Sequence, residues 1–282
     1  MSIKEIVFRR RKDKPMKSID TSFIVREPVD VYQEKSKEYL GSHRLADFRR
    51  DPCLFRKKEL GLVEEEDRPA FVIGRAAHTL ILEGREVFES EYAVGGPVNP
   101  KTGEVYGTRT KAYQVWADDQ GKPVVTDEQF RLIDNLRQSV EAHQHARELY
   151  SDGIPEGVAR ANYAGVPCQV RMDWFNPECG IVDLKTCDNL DWLQMDARTY
   201  GYAHQMAFYR AVVAVVVGER LPVFLVAVEK REPFRCGVWA MGQDVLGIAQ
   251  KENEEAIARL RKCRETDTWP TGYESVRTFD FI

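Results

Sequence analysis

The sequence predicts an α/β fold on a mixed sheet, with core element order αβββαβ and helices added at both ends. Three observations carry this prediction. A capped helix opens at Thr126, three strand-like runs follow it between turn signals, and a second helix precedes two further strands.

The elements follow in chain order. Residues 1–38 alternate charges with few apolar clusters and are expected to form an irregular arm. From Ser42 the pattern turns helical, with Leu45, Phe48 and Phe55 spaced to share a face. "GRAAHTLILEG" predicts a short helix from Gly74 to Glu83, apolar except for His78. Residues 92–125 carry Gly, Pro and turn signals and are expected to form a long loop with short elements, a length that is usually functional in a compact domain. Thr126 and Gln129 stand in capping-box spacing, and Phe130, Ile133, Leu136 and Val140 recur at helical intervals, which predicts one helix over 126–150.

Runs 156–163, 167–175 and 180–186, divided by "AGVP" and "NPECG", predict an antiparallel meander. A helix over 199–217, two strands in "PVFLVAVEK" and "FRCGVWAM", and a C-terminal helix from Asp244 complete the pattern. The expected organisation is an arm over 1–38 and a single domain over 39–282, with its core at about 126–240.

The chain has 282 residues, 43% of them hydrophobic and 30% charged, the composition of a soluble globular protein. The longest apolar run, Ala211 to Val217, is too short to cross a bilayer, and "MSIKEIVFRRRK" lacks the apolar core of a signal peptide. Neither secretion nor membrane anchoring is expected, and the six cysteines show no C-x-x-C pair, which suits free thiols in a reducing cytoplasm. The net charge of −4 excludes a uniformly basic surface but not a local basic lining. "RRRKDKPMK" and "HRLADFRRDPCLFRKK" are two such local excesses, read either as solvated faces or as nucleic-acid contacts.

Asp183 and Lys185 are two apart, so on a strand their side chains leave the same face. They read as an ordinary charge pair or as half of a metal-dependent phosphodiester-cleaving site, where a carboxylate holds a divalent cation beside a movable ammonium. A second acid is then needed, and Asp173, ending "QVRMDW", would fold back across the 176–180 turn towards Asp183; taken alone it reads as a rim carboxylate. His78 is either a hydrogen-bonded core residue or a third ligand. Gln205 and Tyr209, at i and i+4 with Tyr202 nearby, make a polar stripe on an apolar helix: packing with satisfied tips, or a clamp on phosphate or on the lysine.

Assembled in this order, the chain resembles the PD-(D/E)XK nuclease superfamily in its RecB-like branch, and most closely the exonuclease VIII (RecE) type of phage and prophage exonucleases. The likeness rests on "SHRLADFRRDPCLFRKKE", "IGRAAHTLILEG", "GVPCQVRMDW", "GIVDLKTC" and "YGYAHQMAFYRAVV", which together cover most of residues 40–230. Met172 stands where relatives commonly carry Pro.

The resemblance implies that His78, Asp173, Asp183 and the carbonyl of Leu184 are ligands to Mg²⁺ or Mn²⁺. It implies that Lys185 orients or deprotonates the attacking water, that Gln205 and Tyr209 position the substrate strand or the lysine, and that Glu156 has a supporting role. It further implies a DNA exonuclease that resects duplex ends 5′ to 3′, leaves a 3′ strand for an annealing or recombinase partner, and assembles as a homo-oligomeric ring. A nuclease acting on single strands, flaps or internal sites, and a catalytically silent DNA-binding subunit, are the alternatives. Cys263 is the only cysteine beyond Cys236, so the iron–sulfur cluster of some relatives is not expected, and no Walker loop is present to couple ATP.

Overall fold

The computed structural model describes residues 3, 5, 19–63 and 69–279. The basic run "RRRKDKPMK" lies outside them. In chain order the helices are α1 (Val29–Glu34), α2 (Ser42–Arg50), α3 (Pro52–Glu59), α4 (Pro69–His78), α5 (Arg85–Glu91), α6 (Lys111–Asp119), α7 (Asp127–Ala142), α8 (Gln144–Tyr150), α9 (Leu193–Thr199), α10 (Tyr202–Val217) and α11 (Gln243–Thr266). A wider turn, Thr79–Glu83, extends α4. The strands are β1 (Ala93–Val94), β2 (Val124–Val125), β3 (Ile154–Tyr163), β4 (Val166–Asn176), β5 (Gly180–Cys187), β6 (Val223–Glu229) and β7 (Cys236–Ala240).

The main sheet runs β3-β4-β5-β6-β7, antiparallel except where β5 lies parallel to β6 across the α9–α10 crossover. Every residue of β6 is buried, as expected of a strand covered on both faces. Val223 and Leu225 enter a core with α2, α10 and α11, whereas Phe224, Val226 and Val228 meet α4, α7 and α8. The mixed α/β class, with the αβββαβ order, is therefore the observed one.

Several boundaries differ from the sequence expectation for local reasons. The helix from Thr126 opens with the full capping box but breaks at His143, whose ring accepts the Ala146 N–H and starts α8. The helix expected over 199–217 is divided at Gly201, at φ 69°, which separates α9 from α10. Residues 92–125 contain α6 and close on themselves where β1 pairs in parallel with β2. Within the expected irregular arm, the described residues 19–38 hold α1 and pair Val25 with Val158 of β3, because Ile19, Phe23 and Ile24 find apolar cover on the sheet.

The basic run over α2 and α3 is largely paired within the chain. Arg44 and Arg56 meet Glu59, and Arg50 and Lys58 meet Asp47.

β4 pairs with β5 only through Trp174, Phe175 and Asn176, and further along its partner on that edge is Leu40, bridged to Cys168. Between these two contacts β4 and β5 part, leaving a fork in the sheet.

Candidate active site in a strand fork

Asp173 and Asp183 sit at the mouth of the fork, one step beyond the last paired residues, Trp174 and Val182. The pairing of β3 with β4 is also interrupted there, because Glu156 falls between Pro155 and Gly157, opposite Asp173, and takes φ 52°. Three carboxylates from three adjacent strands therefore stand in one row across the sheet.

The fork leaves the β4-facing edge of β5 without a strand partner, and Asp173 supplies one: its Oδ2 accepts the Leu184 N–H at 2.7 Å. A strand residue presents its N–H and C=O on the same edge, so the Leu184 carbonyl faces the fork as well. His78, at the end of α4, brings Nδ1 to 3.5 Å from Asp173 Oδ2.

Lys185 leaves β5 on the same face as Asp183. Its Nζ lies 2.7 Å from Asp183 Oδ2, 3.2 Å from Gln205 Oε1 and 4.8 Å from the centroid of the Tyr202 ring. Gln205 Nε2 in turn donates to the Tyr209 hydroxyl at 3.3 Å. Gln205 thus contacts Lys185, and Tyr209 contacts Gln205.

The electrostatics follow from crowding acids in a partly buried cleft. Burial, then the neighbouring Asp183 charge, pushes Asp173 up to about 8. Burial and Asp173 push Glu156 up to about 7, against the pull of Arg171, whose Nε donates to Glu156 Oε2 at 2.6 Å. Burial, helped by Lys185, lowers His78 and keeps its imidazole neutral, the form that ligates a metal. Burial opposes the charge on Lys185, but Asp183 and Asp173 outweigh it and hold the ammonium above its ordinary range.

These residues fit a divalent cation. Asp183 is 1% exposed, and among the described residues its carboxylate is met by the Lys185 ammonium, 2.7 Å from Oδ2, with no well-aligned hydrogen bond to either oxygen. A buried carboxylate left so incompletely satisfied is costly unless a further cation meets it. One ligand atom each from His78, Glu156 and Asp173 lies within 4.8 Å of the others, close to the span of about 4.2 Å between opposite ligands of Mg²⁺. Asp183 does not join that trio in this arrangement, because its carboxylate turns towards Lys185.

Glu156 is thus more central than the sequence suggested, and its positive φ and cross-strand position could not be read from neighbouring residues. Arg171 was overlooked, although the Arg-x-Asp spacing in "QVRMDW" places it on the Asp173 side of β4, as Asp-x-Lys does on β5. Tyr150 was overlooked too: its hydroxyl is buried without a hydrogen-bond partner, and its ring meets Trp174 edge-on at 5.4 Å.

Comparison with known proteins agrees with this architecture. The family model of a PDDEXK-like domain of unknown function (DUF3799) matches residues 44–280. No curated protein matches the chain. Among solved structures, a "putative exonuclease" from Eubacterium rectale is similar with a TM-score of 0.66 and 18% identity, over 92% of this chain and 97% of that one. An alkaline exonuclease from Laribacter hongkongensis gives a TM-score of 0.29 and 16% identity, over 57% of this chain and 85% of that one. The same enzyme in complex with dAMP gives 0.27 and 15%, over 57% and 88%.

Proposed function

Because the chain belongs to the family of PDDEXK-like domains that matches residues 44–280, we propose that the fork is the active site of a metal-dependent, ATP-independent DNA exonuclease. The observation that carries this reading is the convergence of His78, Asp173, Asp183, Leu184 and Lys185 on one gap between β4 and β5, with the Asp183 carboxylate buried against the Lys185 ammonium.

In this reading His78, Asp173, Asp183 and the Leu184 carbonyl hold Mg²⁺ or Mn²⁺, and Glu156 joins them or takes the place of Asp183. Bound there, the ion supplies Lewis-acid polarisation of a phosphodiester and an activated water. Lys185 contributes charge rather than basicity at rest, because its two acidic neighbours keep it protonated. Its ammonium orients the water and faces the charge that develops on the phosphate oxygens. Gln205, backed by Tyr209, restrains that ammonium, and Tyr202 covers it from the other side.

The finer statements rest on the resemblance to RecE-type exonucleases. They are 5′ to 3′ resection of duplex ends, a 3′ strand delivered to an annealing or recombinase protein, and a homo-oligomeric ring; one domain over 39–282 and a cytoplasmic location rest instead on the sequence pattern and the free cysteines. The deciding experiment is digestion of duplexes labelled at the 5′ or the 3′ end while Mg²⁺ and Mn²⁺ are titrated. Metal-dependent loss of 5′ label as mononucleotide, with closed circles intact, is the expected result. Cutting of closed circles would move the protein to an internal mode of cleavage, and binding without cleavage would make it a silent DNA-binding subunit.

A further inference from the structure

The stretch between β5 and α10 leaves several large side chains in solvent: Trp192 is 58% exposed, Met195 56% and Tyr200 68%. Tyr200 is the one joined to the fork. Its ring stacks on Tyr202 at 6.0 Å between centroids and 24° between planes, and Tyr202 carries the Lys185 ammonium. Lysine, Tyr202 and Tyr200 thus form a ladder from the partly buried charge out to solvent.

The ladder is held in place by backbone, not by packing over Tyr200. Tyr200 closes α9 with its N–H on the Asp196 carbonyl at 2.8 Å, and Gly201 then takes φ 69° to start α10. An aromatic ring so exposed contributes little to the core, whereas a π-face beside a phosphate-binding ammonium matches what a nucleotide presents. The phosphate meets the cation, and the base lies against the Tyr200 ring on the far side of Tyr202. Bases inside a duplex have both faces covered by their neighbours, so a protein ring can stack only on a terminal or an unpaired base, and every base offers such a face.

We propose that Tyr200 is the stacking platform for the exposed nucleobase at a DNA end, terminal or unpaired, held across Tyr202 from the Lys185 ammonium. This inference rests on the nuclease reading. It names a specificity-determining residue that touches substrate but takes no part in the bond cleavage itself.

The test uses the full chain, unaltered and as Tyr200→Ala and Tyr200→Phe, with oligonucleotides whose terminal nucleotide is 2-aminopurine, an ordinary base or an abasic residue. Circular dichroism verifies that the variants fold. In EDTA, unaltered protein and Tyr200→Phe are expected to quench 2-aminopurine fluorescence on binding, and Tyr200→Ala is not. With Mn²⁺, unaltered protein and Tyr200→Phe are expected to prefer the ordinary end over the abasic end by roughly 5- to 100-fold. In Tyr200→Ala the preference should fall to about twofold or less. Quenching and preference retained in Tyr200→Ala, or no quenching by unaltered protein, would overturn the platform while leaving the nuclease intact. No cleavage of any DNA by unaltered protein would remove the nuclease reading, and the platform with it.

Discussion

At the scale of single residues, the site is a balance of charges that the protein alone leaves incomplete. Two acids, Asp173 and Asp183, share one ammonium, and a third, Glu156, is met by Arg171. Replacing Lys185 with Ala removes a preorganised cation, and cleavage of a labelled duplex is expected to fall about 10²- to 10³-fold with little change in the circular dichroism spectrum. Gln205→Ala breaks a hydrogen bond to a charged group without deleting the charge, so about a tenfold slowing is expected in the same assay. Equal rates in either variant and the unaltered protein would detach that side chain from the chemistry. Asp-x-Lys was legible because strand alternation is a local rule. The contact of Gln205 with Lys185 was not, since its i, i+4 stripe is equally consistent with a clamp on phosphate, and the contact depends on the position of α10 over β5.

At the scale of elements, the meander β3-β4-β5 must turn tightly enough to set Asp173 opposite Asp183. Gly180, which opens β5, takes φ 118°, and a Cβ there would lie 2.2 Å from the Pro222 carbonyl oxygen, the acceptor of the Ile181 N–H. Gly180→Ala therefore combines a left-handed conformation with a backbone clash and is expected to cost at least about 2 kcal/mol, read as a lower urea midpoint. Thr126→Ala removes one half of a reciprocal cap and should cost only about 1 kcal/mol by the same measurement. The cap was readable because all of its atoms lie within four residues. The breaks at His143 and Gly201 were not read, since apolar periodicity continues through both, and a ring cap in one case and a left-handed glycine in the other decide them.

At the scale of the whole molecule, four elements deliver the proposed ligands: α4 carries His78, β3 Glu156, β4 Asp173 and β5 Asp183 with Leu184. Metal binding is then linked to folding, because the unfolded chain has no such site. Glu156 and Asp173 rise in the metal-free fold from ordinary carboxylate values to about 7 and about 8. Through these two groups folded protein binds more protons than unfolded protein between about pH 4 and pH 8, so their contribution lowers metal-free stability as pH rises, and the lowered His78 and His143 oppose it only near the ordinary histidine range. The melting temperature in EDTA should drop from pH 5 to pH 8, and the increment from added Mn²⁺ should grow over the same range. Asp173→Asn should flatten both trends; a pH-independent increment would argue against these carboxylates as ligands.

The αβββαβ order, the capped helix and the side chains able to share a strand face were readable from local pattern, because each depends on residues a few positions apart. The sequence also contained the motifs by which the chain resembles RecB-like nucleases. Only the tertiary structure decided that β4 and β5 part beyond Trp174, that Glu156 lies opposite Asp173 at a positive φ, and that Asp183 turns towards Lys185. Those outcomes depend on register and on α10 and Leu40 reaching the sheet from distant parts of the chain, and no local pattern encodes where such partners meet.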